Sequence, residues 1–276
     1  MAGDSTRQPI KRWAGKWALV TGASAGIGVA LAEQLAEGGA HLVLTARRTD
    51  RLQRLASDLA ATYGVRTEVF PADLVRPEAP AQIRVFTAEK GIAVELLVNN
   101  AGFGAFGYHH EISESRLQDM IYVNCAAVAQ LTHIYLPEMI QRRSGDILIV
   151  ASTAAFQAVP FISAYAATKA FDLIFAEGIA EEVRPFGIRV CALCPGSTNT
   201  EFQRVAEQPD RVFRYAETAE KVARTGLQGL AHGRTCVVSG GGNRAMVMAE
   251  RLAPRSFVAK MAARVMRPEG GPGKPA

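Results

Sequence analysis

The sequence predicts an α/β fold: a doubly wound sheet of about seven parallel strands, in one domain, with a C-terminal helical extension. Three observations predict it. Short β-branched or apolar runs alternate with longer segments of helical spacing, which is the pattern of successive βαβ units. No linker-like stretch interrupts residues 15 to 240. The first apolar run ends in a glycine-rich turn that opens a helix, a junction suited to a phosphate.

The strand candidates, in order, are "WALVT" from Trp17, "HLVLTA" from His41, "TEVFPAD" from Thr67, "ELLVNN" from Glu95, "GDILIVAS" from Gly145, "IRVCALC" from Ile188 and "TCVVSG" from Thr235. The domain then runs over 15–242, behind a basic tail at 1–14. A basic amphipathic extension follows at 243–267, and a low-complexity tail, "PEGGPGKPA", at 268–276 is expected to be disordered.

The 276 residues suffice to bury about three quarters of the unfolded surface in one core. The net charge of +5 is uneven. Arg7, Lys11, Arg12 and Lys16 face only Asp4 in the first 16 residues, and residues 251 to 276 hold six basic residues against Glu269. The stretch between is mildly acidic. A nucleic-acid binder would carry its positive charge on a folded face, so that class is set aside. The opening "MAGDSTRQPIKRW" has no apolar h-region and no apolar stretch is long enough to span a bilayer, so the expected location is the cytoplasm.

Cys191 and Cys194 form a C-x-x-C on an expected strand, where residues three apart point to opposite faces. With Cys125 and Cys236 they read as buried thiols. His109 and His110 are neighbours in a loop with no third ligand at metal spacing. No metal site is expected.

A parallel sheet binds ligands beyond the carboxyl ends of its strands. After the first strand stand Gly22, Ser24, Gly26, Ile27 and Gly28. Such a turn lets backbone approach a pyrophosphate, whose charge meets the amides and positive end of the next helix. After the second strand stand Arg47 and Arg48, where a site for the unphosphorylated dinucleotide would carry an acid. A guanidinium forms bidentate bonds to a 2′-phosphate. NADP(H) is the expected cofactor, with Arg47 the main contact.

Tyr165 and Lys169, in "YAATK", are four apart and share one helix face. With T-G-x-x-x-G-x-G at Thr21 to Gly28, "NNAG" at Asn99 to Gly102, and Ser152 thirteen residues before Tyr165, the chain resembles the short-chain dehydrogenase/reductase family over about residues 15 to 240. The resemblance implies a Rossmann-type fold, an NADP(H)-dependent oxidoreductase and a homo-oligomer formed through the helices that bear Asn124 and Tyr165. It implies that Asp73 and Leu74 meet the adenine ring, and that Asn100, Ala101 and Gly102 form the pocket floor. Asn124 would hold a water linking Lys169 to solvent. Pro195, Gly196, Thr198 and Thr200 would lie by the nicotinamide, although Thr198 departs from the usual valine and Ala25 from a common serine.

Carbonyl reduction leaves an alkoxide that needs a proton. A phenol of pKa about 10 is a reluctant donor, and a nearby ammonium lowers such a pKa by about 1 to 3 units. Tyr165 is therefore the expected general acid, Lys169 its partner and holder of the nicotinamide ribose, and Ser152 the hydroxyl that steadies the substrate oxygen. Phe103, Phe106, Phe156, Phe161, Phe202 and Phe213 in the covering loops suggest an apolar small-molecule substrate. A non-catalytic NADP(H)-binding sensor or scaffold is the rival reading. The extension has three roles open to it: subunit or core packing, ranked first, an anionic membrane surface, and a pocket lid.

Overall fold

The computed structural model describes residues 10–202, 206 and 216–268. Phe213, most of the basic N-terminal tail and nearly all of the low-complexity C-terminal tail lie outside them. The sheet holds seven parallel strands: β1 Trp17–Thr21, β2 His41–Thr45, β3 Thr67–Val69, β4 Val94–Asn99, β5 Gly145–Val150, β6 Ile188–Cys194 and β7 Cys236–Val238. Their order is β3-β2-β1-β4-β5-β6-β7. The chain works outward from β1 to β3, then crosses back to lay β4 against β1. That reversal opens a crevice between the carboxyl ends of β1 and β4, the usual ligand position in such sheets.

Nine helices are described: α1 Gly26–Glu37, α2 Thr49–Tyr63, α3 Ala79–Glu89, α4 Glu114–Ile121, α5 Ala127–Arg142, α6 Ser163–Val183, α7 Ala219–Ala231, α8 Gly241–Glu250 and α9 Arg255–Met266. The strands alternate between two cores. Ala18, Val20, Leu96, Val98, Leu148 and Leu193 pack with α1, α2 and α7. Leu19, Leu97, Ile147, Ile149 and Val190 face α3, α5 and α6. With both faces covered, a strand has no polar side to show, which is why the runs read as continuously apolar. Cys191 and Cys194 fall in opposite cores as the strand period requires. The strand reading did not anticipate that Cys194 Sγ lies 3.9 Å from Cys236 Sγ of β7.

β3 is shorter than its apolar run. Beyond it Phe70 and Ala72 still donate to Leu44 and Ala46, which turns the nitrogen of Pro71, with no N–H to donate, to the open edge of the sheet.

At the opposite end from the crevice, Asp146 and Arg189 are register partners on β5 and β6. The guanidinium grips the buried carboxylate with Nε at 2.7 Å from Oδ1 and Nη2 at 2.7 Å from Oδ2, and Trp13 Nε1 donates to Oδ2 at 2.8 Å. The pair ties two central strands and the N-terminal turn Ile10–Trp13 together. Without Arg189 the buried carboxylate would keep Trp13 and Arg12, whose Nε stands 3.5 Å from Oδ2, so the loss falls short of the roughly 3–5 kcal/mol of a wholly unpaired buried charge. Arg189→Leu is therefore expected to lower unfolding free energy by about 1–3 kcal/mol in urea titrations, whereas Arg189→Lys is expected to lose less.

Candidate active site

The crevice opens into a cavity of about 820 Å³. Of the residues expected from the sequence to touch cofactor or substrate oxygen, all line it except Gly28 and Asn124. Gly22, at φ 67°, brings backbone against backbone: a Cβ there would lie 2.8 Å from Asn100 Nδ2 and 2.9 Å from Ala101 Cα. Gly28 packs behind the turn, where a Cβ would come within 2.3 Å of the Gly22 carbonyl oxygen. It shapes the turn from behind, which is a packing requirement that a spacing rule cannot distinguish from contact.

The turn is braced from β4. Asn100 Nδ2 donates to Thr21 O at 2.8 Å, and the Asn100 and Ala101 amides donate to Thr21 Oγ1 at 2.9 and 3.0 Å. α1 has no side-chain cap at Ala25, so its first N–H groups are available to an anion. Asp73 and Leu74 line the wall beside the end of β2.

The two arginines differ. Arg48 bonds the Ser24 side chain through Nε at 3.2 Å and Glu201 through Nη1 at 2.7 Å. Glu201 also holds Arg51 at 2.8 Å, and the Arg51 and Arg48 bonds pull its carboxyl down to about 2. Arg47 is exposed at the cavity edge. Glu201 escaped the sequence reading because its partners stand 150 and 153 residues away.

At the other end of the cavity, Tyr165, Lys169 and Asp172 occupy successive turns on the buried face of α6. Ser152 closes β5 and caps the short turn Thr153–Phe156, accepting from the Ala154 amide at 3.1 Å. Lys169 Nζ donates to Val150 O at 2.7 Å and to Asp172 Oδ2 at 2.9 Å, and sits 6.0 Å from the Tyr165 ring centre. A Cβ on Gly102 would lie 3.1 Å from Asn124 Oδ1 and 3.4 Å from this ammonium, so a larger residue there would press first on the Asn124 amide.

The net direction at Tyr165 is opposite to the lowering expected from the ammonium: burial raises the phenol above its ordinary value, Lys169 and a hydrogen bond with Ser152 pull it back only in part, and Asp172 pushes it up again. Burial alone would lower the Lys169 pKa, but Asp172 and then Tyr165 reverse the direction and hold the ammonium charged. Asp172 is fully buried, and its Oδ1 has no hydrogen-bond partner among the described residues. It was not among the expected residues. The available signal was a carboxylate three positions past Lys169 on the same helix face.

Asn124 lies on a π-helical turn, Tyr122–Ala126, between α4 and α5, a local widening common at functional sites. Its Oδ1 accepts from the Phe103 amide at 3.1 Å, and its Nδ2 donates to Phe103 O and Thr168 Oγ1, each at 2.9 Å. Both Nδ2 hydrogens are thereby used. The observed action of Asn124 is to fasten the loop after β4 to α6.

The apolar walls differ from the expected set. Phe103 and Phe202 line the cavity, and the Phe202 ring lies 5.2 Å from that of Tyr165. Phe106 and Phe161 stand in a second layer, and Phe156, half-buried, packs against the core beneath α3, α5 and α6. The missing surface comes from α8 and α9, whose Met246, Phe257, Val258, Met261 and Met266 close one side of the cavity. Asn243 of α8 crosses Gly196, where a Cβ would meet its side chain at 2.4 Å. Among the described residues no cluster of His, Cys, Asp and Glu is placed to hold a metal, and no helix is long and apolar enough to cross a membrane.

A family profile described as short chain dehydrogenase matches residues 16–211. Human inactive hydroxysteroid dehydrogenase-like protein 1 is 36% identical over 189 residues, covering 67% of this chain and 56% of that protein. The chain thus spans little more than half the length of the first curated relatives it matches. Very-long-chain 3-oxoacyl-CoA reductase-A of Danio rerio is 33% identical over 228 residues, covering 79% of this chain and 70% of that one. Among solved structures, a short-chain dehydrogenase from Sphingobium yanoikuyae in complex with NADPH superposes with a TM-score of 0.78 at 29% identity, over 95% of this chain and 98% of the other.

The Lys169–Asp172 pair makes its own prediction. Lys169→Met leaves a buried carboxylate unpaired and is expected to destabilise the protein by about 3–5 kcal/mol. Adding Asp172→Leu is expected to restore most of that loss. Equal, additive losses in a double-mutant cycle of melting curves would show that the two groups are not coupled.

Proposed function

The chain belongs to the short chain dehydrogenase family, and on that premise we propose that it is an NADPH-dependent oxidoreductase that reduces the carbonyl of an apolar substrate, or oxidises the matching alcohol. One observation carries the reading: Ser152, Tyr165 and Lys169 border the same cavity as the glycine turn after β1. The turn suits a dinucleotide because Gly22 admits close backbone approach and α1 presents uncapped amides.

A nicotinamide held there would supply the hydride in reduction and take it up in oxidation. Tyr165 donates its phenolic proton to the substrate oxygen as that oxygen becomes an alkoxide. A phenol is already protonated at neutral pH, the form a donor needs, and Lys169 and the Ser152 hydrogen bond oppose the rise that burial causes. Ser152 hydrogen-bonds the same oxygen from the end of β5. Lys169 offsets the phenolate left behind, and Asp172 keeps Lys169 charged while Val150 O fixes where it stands. Phe103, Phe202, Val258 and Met261 give the substrate an apolar enclosure that excludes water. Relatives named for hydroxysteroids and very-long-chain 3-oxoacyl-CoA point to the same class.

The preference for NADP(H) rests on Arg47, exposed at the cavity edge, and on the absence of an acid at the end of β2. Association into a homo-oligomer is supported by Ile121, Phe171 and Ile174, which are exposed on the helices flanking the site.

A second reading has one observation in its favour, the 36% identity to a protein named inactive. It makes this chain a binder of NADP(H) that performs no chemistry. The two separate on Tyr165→Phe assayed with NADPH against a panel of ketones, steroids and 3-oxoacyl thioesters. The enzymatic reading expects turnover in the parent protein, a fall of about 10²- to 10⁴-fold in the variant, and little change in NADPH affinity. Turnover in neither protein, with NADPH still bound, would favour the second. For the cofactor, Arg47→Ala is expected to weaken NADPH about 10- to 100-fold while leaving NADH nearly unchanged, as read by fluorescence titration.

A further inference from the structure

Helices α8 and α9 do more than enclose the cavity. They meet at a bend, Arg251–Pro254, and their outer surface holds large apolar side chains that stand exposed among the described residues: Met248 is 61% exposed, Leu252 90% and Phe257 57%. Along α9, Phe257, Met261 and Val265 recur every four residues on one edge, and each of them also borders the cavity. The apolar edge is therefore the rim of the cavity mouth.

Charge on the same surface has one sign. From 251 to 268 the chain carries Arg251, Arg255, Lys260, Arg264 and Arg267 and no acid. Lys260 and Arg264 flank the Phe257–Met261 edge and are exposed. The neighbouring acid, Glu250, lines the cavity, and its Oε2 is buried. An apolar strip bordered by cations is the arrangement with which an interfacial helix sinks its apolar side chains to the acyl boundary while its bases meet headgroup phosphates. A two-fold contact between copies of this chain would instead set one cationic surface against its own image, which like charge opposes.

We propose that the outer face of α8 and α9 docks on an anionic lipid bilayer with the cavity mouth turned to the membrane. Docking follows from the surface alone. Its consequence, that an apolar ketone or acyl substrate passes from the bilayer into the cavity without crossing water, rests on the enzymatic reading given above.

The test is flotation of the full chain with vesicles of equimolar phosphatidylglycerol and phosphatidylcholine, and with phosphatidylcholine alone, at low and high salt. Strong binding to the anionic vesicles is expected, with little to the neutral ones and release by salt. Two double variants probe the face away from the cavity lining: Met248→Asp with Leu252→Asp, and Lys260→Glu with Arg264→Glu. Each is expected to lower the vesicle partition coefficient at least about tenfold while leaving melting temperature and NADPH affinity unchanged. No flotation of the parent chain overturns the proposal, as does partition unchanged in both variants. Light scattering that shows a dimer abolished by the same substitutions, without vesicle binding, assigns the face to a second copy and overturns it too. Soluble-substrate turnover intact in a chain that does not float would refute docking and leave the enzymatic reading standing.

Discussion

The site is organised around one buried cation. Lys169 reaches from α6 to the carbonyl of Val150 at the end of β5 and to Asp172 one turn along its own helix. A charge removed from water this completely persists only if its protons are matched by acceptors. Satisfying it fixes how far α6 stands from the sheet, and so fixes Tyr165 beside Ser152. Gly102 lies close by: a Cβ there would stand 3.1 Å from Asn124 Oδ1 and 3.4 Å from the ammonium. The loop after β4 is held in turn by Asn124, whose amide spans Phe103 and Thr168.

The opposite end of the cavity obeys a different constraint, the close approach of two backbones. Gly22 and Gly28 let the turn after β1 nest against Asn100 and Ala101, and Thr21 draws the β4 amides onto itself. The result is a groove whose floor is peptide and whose charge comes from helix amides, with arginines only at the outer edge. One end of the cavity offers uncapped amides to an anion and the other offers a phenolic proton. The apolar wall between them belongs largely to the C-terminal helices, whose reverse side faces solvent with bases and uncovered methionine, leucine and phenylalanine.

Local pattern carried far in this chain. The seven apolar runs were legible because a parallel sheet covered on both faces leaves no polar alternation to blur them, and "YAATK" announced its shared helix face because four residues make one turn. Positions at strand ends were legible for the same reason: once the strands are placed, their ends are known. Asp172, Glu201 and Asn243 were not, since each acts through a partner that the fold brings near. Gly28 and Asn124 were named for contact, yet they work one layer behind the cavity surface, and spacing has no depth.

Sequence by itself determined the order of the strands along the chain, the glycine turn, the pairing of phenol with ammonium and the basic excess of the C-terminal segment, because all of these depend on residues within a few turns of one another. Tertiary structure alone decided that Lys169 is neutralised by a buried carboxylate, that Glu201 clasps Arg48 and Arg51 across the cavity edge, and that α8 and α9 form the cavity wall. Those outcomes depend on which distant surfaces exclude water together. Desolvation is a property of the assembled fold, and no stretch of chain read alone contains it.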